Sequence, residues 1–335
     1  MTIRVAVDAM GGDHAPLEII KGAVLGAKEH NVALQLVGQV DRIKEELGKY
    51  DTGKLDIKLT QADEIIEMDE SPGIAIRKKR NSSIVMAVDA VAKGESQALV
   101  AAGSTGAAMA ASLFGLGRLP GIDRPAIAVV LPTTEKPVVM LDAGANIACE
   151  PHMLHQFAIM GSIFSKSILG VSSPRVGILN IGGESSKGNP LVQASYKLLA
   201  QNSDHINFIG NVEGRELFMG VSDVVVCDGF VGNITLKVTE GVANMIVKML
   251  KEEMKSSLRA KIGAAIAKPA FLNIKKKSDY EEYGGALLLG IKGICIIGHG
   301  GSKARAITNA IRVAKEAVEA EMNGKIANMY EMNKI

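Results

Sequence analysis

Short apolar runs alternate along this chain with longer segments in which apolar positions recur every three or four residues. The short runs, at 3–7, 33–37, 98–102, 126–130, 138–141, 176–179, 207–209, 224–226 and 293–297, predict strands. Several are apolar throughout, as a parallel sheet covered on both faces requires. The longer segments, at 17–30, 153–168, 190–200 and 306–323, predict amphipathic helices. Alternation of this kind implies an α/β fold with a doubly wound, mainly parallel sheet, here in one domain spanning 1–335.

Two stretches depart from the pattern. Residues 97–117 carry no charge and are about as long as a membrane span. Gly103-Ser104-Thr105-Gly106 divides them, so they read as a buried strand turning into a buried helix. Residues 242–277 read as a long protruding helix that stops at Pro269, with 242–254 serving as core or dimer interface. Between Lys248 and Lys277 lie nine Lys or Arg against two Glu, in a chain whose net charge is only +2. The basic charge is therefore concentrated in this segment. Beyond Pro269, Phe271 and Leu272 beside Lys275, Lys276 and Lys277 form the apolar-plus-cationic pairing that suits an anionic membrane surface.

Composition excludes several classes. Trp is absent and aromatics are 4%, which argues against a nucleic-acid partner. Cys149, Cys227 and Cys295 are scattered and odd in number, as expected of reduced thiols in the cytoplasm. His152 and His155 lie three apart, but no HExxH or Cys cluster completes a metal site, and they read as helix surface or cap residues.

Candidate chemistry sits where strands lead into helices. Asp8-Ala9-Met10-Gly11-Gly12-Asp13 follows the first strand, and Gly103-Ser104-Thr105-Gly106 follows another. Asp142-Ala143-Gly144-Ala145-Asn146, residues 182–189, Asp228-Gly229-Phe230-Val231-Gly232-Asn233 and Gly298-His299-Gly300-Gly301-Ser302 complete the set. A helix N-terminus presents free N–H groups to an anion, and glycine permits close approach, so six such loops point to a phosphate. There is no GxxxxGK[ST], no GxGxxG after the first strand and no GxSxG, which weakens P-loop, dinucleotide-binding and serine-hydrolase readings.

These loops, with Gly-Ile-Asp-Arg-Pro-Ala at 121–126 and Lys-Gly-Asn at 187–189, resemble the bacterial phosphate acyltransferases of phospholipid synthesis, in order from residue 3 to about 320. The resemblance implies a Rossmann-like fold similar to phosphate acetyltransferases and isocitrate-type dehydrogenases. It implies transfer of a long-chain acyl group from acyl carrier protein to inorganic phosphate, with no cofactor and no metal. The acyl phosphate would pass to a membrane-bound glycerol-3-phosphate acyltransferase. A homodimer at the inner face of the membrane is implied as well. Site residues carried over are Lys187 and Asn233 as catalytic, Gly103, Ser104, Thr105, Gly106, Asn146 and His299 for phosphate, and Asp8, Gly11, Gly12, Asp13, Asp228 and Gly229 in the surrounding loops. The basic run Arg77, Lys78, Lys79 and Arg80 is either a solvated face or a dock for an acidic carrier protein. A short-chain acyltransferase using acyl-CoA and an NAD-dependent isocitrate-type dehydrogenase remain as alternatives.

Overall fold

The computed structural model describes residues 2–202, 206–278 and 280–332, with the side chains of 275–281 and 331–332 outside that description. The first half runs β1 (Arg4–Asp8), α1 (Leu17–His30), β2 (Ala33–Gly38), α2 (Val40–Leu47), β3 (Ile57–Gln61), α3 (Pro72–Lys78), α4 (Ser83–Ala92), β4 (Ala98–Ala101) and α5 (Thr105–Leu116). It continues through β5 (Ala126–Leu131), β6 (Val138–Leu141), α6 (Pro151–Ile168), β7 (Arg175–Asn180), α7 (Pro190–Gln201), β8 (Asn207–Glu213) and β9 (Val224–Val226). Two long helices follow, α8 (Gly229–Glu253) and α9 (Leu258–Ser278), then β10 (Ala286–Leu289), β11 (Ile294–Ile297), α10 (Ala304–Glu319) and α11 (Met322–Met332).

Among the described residues the strands form one eleven-stranded sheet, ordered β3-β2-β1-β4-β11-β10-β5-β6-β9-β7-β8. Pairing is parallel except where β10 meets β11 and β5, and where β5 meets β6. The alternation of strand side chains divides the core in two. Val5 and Val7 face α1, α6 and α10 through Ile19, Phe157 and Ile307, while Ala6 belongs with Val88 of α4 and Ala107 of α5 on the other face. Both faces are covered, so the central strands are buried throughout and read as unbroken apolar runs.

The uncharged stretch 97–117 is β4 and α5, and no described helix is long and apolar enough to cross a membrane. Two strands escaped the sequence reading. β3 lies at the sheet edge and carries Lys58, Thr60 and Gln61, while β10 is only four residues long and follows Gly284 and Gly285. The helix predicted at 306–323 is two helices, broken where Glu321 turns left-handed at φ 50°.

The long helix also differs from expectation. It starts at Gly229, breaks after Glu253, and resumes through Pro269 to Ser278. Serine competes with the backbone at the break: the Ser256 hydroxyl donates to the Glu253 carbonyl at 2.7 Å, and Ser257 Oγ accepts from the Ala260 N–H at 3.1 Å, starting α9. Pro269 removes one backbone donor without ending the helix. α8 buries only Gly229 and Gly232, so residues 242–254 are not core of their own chain. Val242, Met245, Ile246, Met249 and Leu250 stand exposed on it, as do Leu258, Ile262 and Ile266 on α9.

Candidate active site

Two loop clusters form at strand ends, each organised by a buried aspartate. Asp8 ends β1 and accepts from the Met10 and Gly11 N–H groups at 3.2 and 3.1 Å. Burial pushes its carboxyl above the usual carboxylate range, while the Ser83 hydroxyl and those two N–H groups pull it back. The turn so formed lies against its neighbours backbone to backbone. A Cβ on Gly11 would stand 3.0 Å from the Gly103 nitrogen, and one on Gly12, at φ +103°, 2.7 Å from the Ala102 carbonyl. The Asp13 N–H donates to the Gly300 carbonyl at 2.9 Å. The loops after β1, β4 and β11 are thus interlocked. Ser104 caps α5, accepting from the Ala107 N–H at 3.4 Å, and Thr105, Asp13 and His299 are exposed around it. Beneath the loops, between Asp8, Gly11, Ser83, Gly103 and Ser104, lies a cavity of about 10 Å³, room for roughly one water and too small for phosphate. Gly106 makes room for protein: its Cβ would meet Pro72 of α3 at 2.6 Å.

The second cluster hangs on Asp142, fully buried just beyond β6. Its Oδ1 accepts from the backbone N–H groups of Ile127, Gly144 and Ala145 at 3.1, 3.1 and 3.0 Å. Its Oδ2 accepts from the backbone and side-chain N–H groups of Asn146 at 2.7 and 2.8 Å. Burial again raises the carboxyl, and the loop N–H groups oppose that rise. α8 is clamped onto this loop. The Gly229 N–H donates to the Asn146 carbonyl at 2.8 Å, and Asp228 caps the helix by accepting from the Val231 N–H at 2.9 Å. A Cβ on Gly232 would lie 1.9 Å from the Asp142 carbonyl oxygen, so only glycine fits. The next residue, Asn233, is exposed and sits 3.6 Å from where a Gly144 side chain would start. Lys187 is exposed on the loop after β7, and Asn189 on that loop caps α7.

β7 and β9 are parallel neighbours, so Lys187 and Asn233 share one edge of the sheet. The Gly103–Gly106 and His299 loops share the other edge: Ile297 pairs with Ala101 at that end, while Asp142 bonds Ile127 at the opposite end of β5. Asn146, carried over as a phosphate residue, has both amide hydrogens engaged, to Asp142 and to the Pro125 carbonyl at 2.8 Å each. Lys79, within the basic run, is tied to the Ile65 carbonyl at 2.7 Å and to Glu70 at 2.5 Å, while Arg77, Lys78 and Arg80 are exposed. Phe271 is half-buried and Leu272 exposed on α9, but the side chains of Lys275, Lys276 and Lys277 lie outside the described residues.

Asp142, Gly232 and Ser83 were not singled out from sequence. The first two stood inside motifs whose neighbours drew attention, and their roles appear only once α8 is docked. Burial raises both thiols near this cluster. Burial and the Asp142 charge push Cys149 up to about 11, and burial carries Cys227 well above its ordinary value. His155 is buried rather than on the helix surface, and His152 lies 3.0 Å from Asp123. Among the described residues no group of three His, Cys, Asp or Glu is placed to hold a metal ion.

The clamp predicts a contrast within one helix. Gly232→Ala forces a carbon into the Asp142 carbonyl and should lower unfolding free energy by about 1–3 kcal/mol. Gly241→Ala, where nothing lies within 4 Å, should raise it by about 0.5–1 kcal/mol through helix propensity. Urea denaturation of the two variants checks this, and equal midpoints would contradict the clamp.

Comparison with known proteins places this geometry. A family model described as "Fatty acid synthesis protein" matches residues 3–325. The chain is 53% identical to a phosphate acyltransferase of Pelotomaculum thermopropionicum, covering 98% of this chain and 95% of the relative. It is 49% identical to the phosphate acyltransferase of a Nostoc species, covering 98% and 97%. Among solved structures, a phosphotransacetylase from Streptococcus pyogenes shares the fold, with a TM-score of 0.63 at 16% identity over 95% of this chain and 94% of that one. The EutD phosphotransacetylase from Staphylococcus aureus is similar, with a TM-score of 0.62 at 14% identity over the same shares. Similarity along almost the whole chain shows that this protein belongs to the fatty acid synthesis protein family, among the phosphate acyltransferases.

Proposed function

We propose that this acyltransferase moves a long-chain acyl group from acyl carrier protein to inorganic phosphate, yielding an acyl phosphate for phospholipid synthesis. The observation that supports the reading is the pair of aspartate-ordered loop clusters at opposite ends of the strands, with Asn233 beside the second and Lys187 on the neighbouring loop after β7. Five strand steps separate β4 from β9. The reaction needs the two sets of loops to face one cleft, and the twist of the sheet, about 20–25° per step, turns their strand directions toward each other.

Phosphate then lies on the open side of the Gly103–Gly106 loop, with Ser104, Thr105 and His299 as donors, since the space beneath the loop holds no anion. A phosphate oxygen attacks the thioester carbonyl carbon. A P–O–C bond forms as the C–S bond breaks, and the proton shed by phosphate leaves on the thiol. The Asn233 amide donates to the tetrahedral oxyanion, and the Lys187 ammonium offsets its charge. The exposed Arg77, Lys78 and Arg80 receive the acidic carrier protein, which speeds encounter at low salt.

One assay tests these roles: palmitoyl-carrier protein and phosphate, with acyl phosphate trapped by hydroxylamine. Lys187→Ala and Asn233→Ala should each lower kcat about 10²–10³-fold. Lys78→Glu should lower kcat/KM and flatten its dependence on salt. Near-normal turnover in folded Lys187 and Asn233 variants would refute their assignment, and an unchanged salt slope would refute the docking role.

The uncovered faces of α8 and α9 support two further assignments. Val242, Met245, Ile246 and Met249 form a helix stripe suited to pairing with a second copy, making a homodimer. The α9 segment around Phe271 and Leu272, with the lysines that follow in sequence, attaches the dimer to the inner face of the membrane. Each Lys near an anionic surface adds about 1 kcal/mol, and the dimer presents the patch twice. The product's membrane-bound acceptor, a glycerol-3-phosphate acyltransferase, is then close by. Ile246→Glu/Met249→Glu should yield a monomer by light scattering, and Phe271→Glu/Leu272→Glu should abolish sedimentation with anionic vesicles. A variant that behaves as wild type refutes the corresponding face.

A further inference from the structure

The loop after β1 carries two aspartates that are used differently. Asp8 is buried, and its carboxylate accepts from the Met10 and Gly11 N–H groups. Asp13 is exposed and held by its backbone, the N–H donating to the Gly300 carbonyl at 2.9 Å. Among the described residues no donor or cation is paired with the Asp13 carboxylate. A carboxylate can only accept, so its lone pairs stay open to a donor from outside the chain.

His299 lies across a narrow gap from this carboxylate. A Cβ on Gly301 would stand 3.5 Å from His299 Nδ1 and 3.8 Å from Asp13 Oδ2. Gly300 beside it is covered, since a Cβ there would meet the Met68 methyl carbon at 2.8 Å. The opening is therefore over Gly301, between a carboxylate and an imidazole. The Gly301 N–H donates to His299 Nδ1 at 3.1 Å, so the neutral ring carries its hydrogen on Nε2 and donates there. Gly12 joins the gap to the β4 loop: a Cβ on it would lie 2.7 Å from the Ala102 carbonyl and 3.0 Å from the Gly300 carbonyl. One acceptor, Asp13, thus stands on a rim whose other side chains, His299, Ser104 and Thr105, are able to donate.

We propose that Asp13 selects phosphate against other tetrahedral dianions by accepting the hydrogen of its P–OH group. The assignment rests on the phosphate site proposed above. Near neutral pH inorganic phosphate keeps at least one hydrogen, whereas sulfate, of the same shape and charge as the phosphate dianion, has none. Phosphate satisfies the donors with its bare oxygens and Asp13 with its hydroxyl. Sulfate in the same place sets an oxygen lone pair against the carboxylate and leaves both unpaired. Specificity of this kind uses a repulsive element beside the attractive ones, and a carboxylate at an anion site is such an element.

Calorimetric titration of the full chain with sodium phosphate and with sodium sulfate, at one ionic strength, gives the ratio of the two Kd values. Wild type should favour phosphate about 10–10²-fold, as expected of one hydrogen bond to a charged group. Asp13→Asn should lower that ratio about tenfold, because its amide accepts from phosphate or donates to sulfate. Fluorophosphate, a dianion with no hydrogen, should follow sulfate in both proteins. Wild type binding sulfate as tightly as phosphate overturns the proposal. So does a ratio that folded Asp13→Asn leaves unchanged, which would mean that Asp13 acts on both anions through charge alone. Absence of phosphate binding in wild type overturns it together with the phosphate site. Selective binding that Asp13→Asn loses, with no acyl phosphate trapped from wild type, upholds Asp13 and refutes the proposed reaction instead.

Discussion

A carboxylate buried at the end of a strand is the interaction on which the rest depends. Removing a charged group from water is costly unless its oxygens are hydrogen-bonded. Asp8 and Asp142 meet that cost by collecting N–H groups from the residues that follow them, and so each pulls its own loop into a fixed turn. The turns in turn decide where the next elements can sit. The first leaves Gly11 and Gly12 against the β4 and β11 loops, and the second leaves a surface that accepts α8 only through Gly229 and Gly232. Loops ordered in this way hold donors in place before a substrate arrives, which is the condition for electrostatic catalysis to be effective.

The sheet supplies the second constraint. Its direction reverses at β10 and between β5 and β6, so one continuous layer carries two sets of carboxyl-end loops. Ligands in open parallel sheets bind at such ends. A reaction between two substrates benefits from two sets of such loops.

Much of the fold was legible in sequence because its core strands are covered on both faces. Continuous apolar runs gave the central strands, and the helix predicted at 17–30 is α1, Leu17–His30. β3 was missed because an edge strand with a solvent side carries Lys58, Thr60 and Gln61, and β10 because four residues after two glycines give too short a signal. Pro269 misled because a proline rule weighs one lost hydrogen bond, whereas the real break at residues 254–257 came from serine hydroxyls competing for the backbone. At the candidate site, glycine-rich loops marked the strand ends correctly as places. Sequence could not tell which glycine faces a ligand and which faces protein, as with Gly106 against Pro72. Nor could it reveal that the Asn146 amide is already spent on Asp142 and Pro125. Those facts depend on contacts between segments far apart in the chain.

The central claim is that phosphate itself is the nucleophile. Incubation of the protein with palmitoyl-carrier protein and inorganic phosphate labelled with oxygen-18 at every position, followed by phosphorus NMR, tests it most directly. The account predicts an acyl phosphate that retains all of the label, including the oxygen bridging phosphorus and carbon. Free palmitate with the phosphate left unconsumed would mean that water attacks the thioester, and would contradict it.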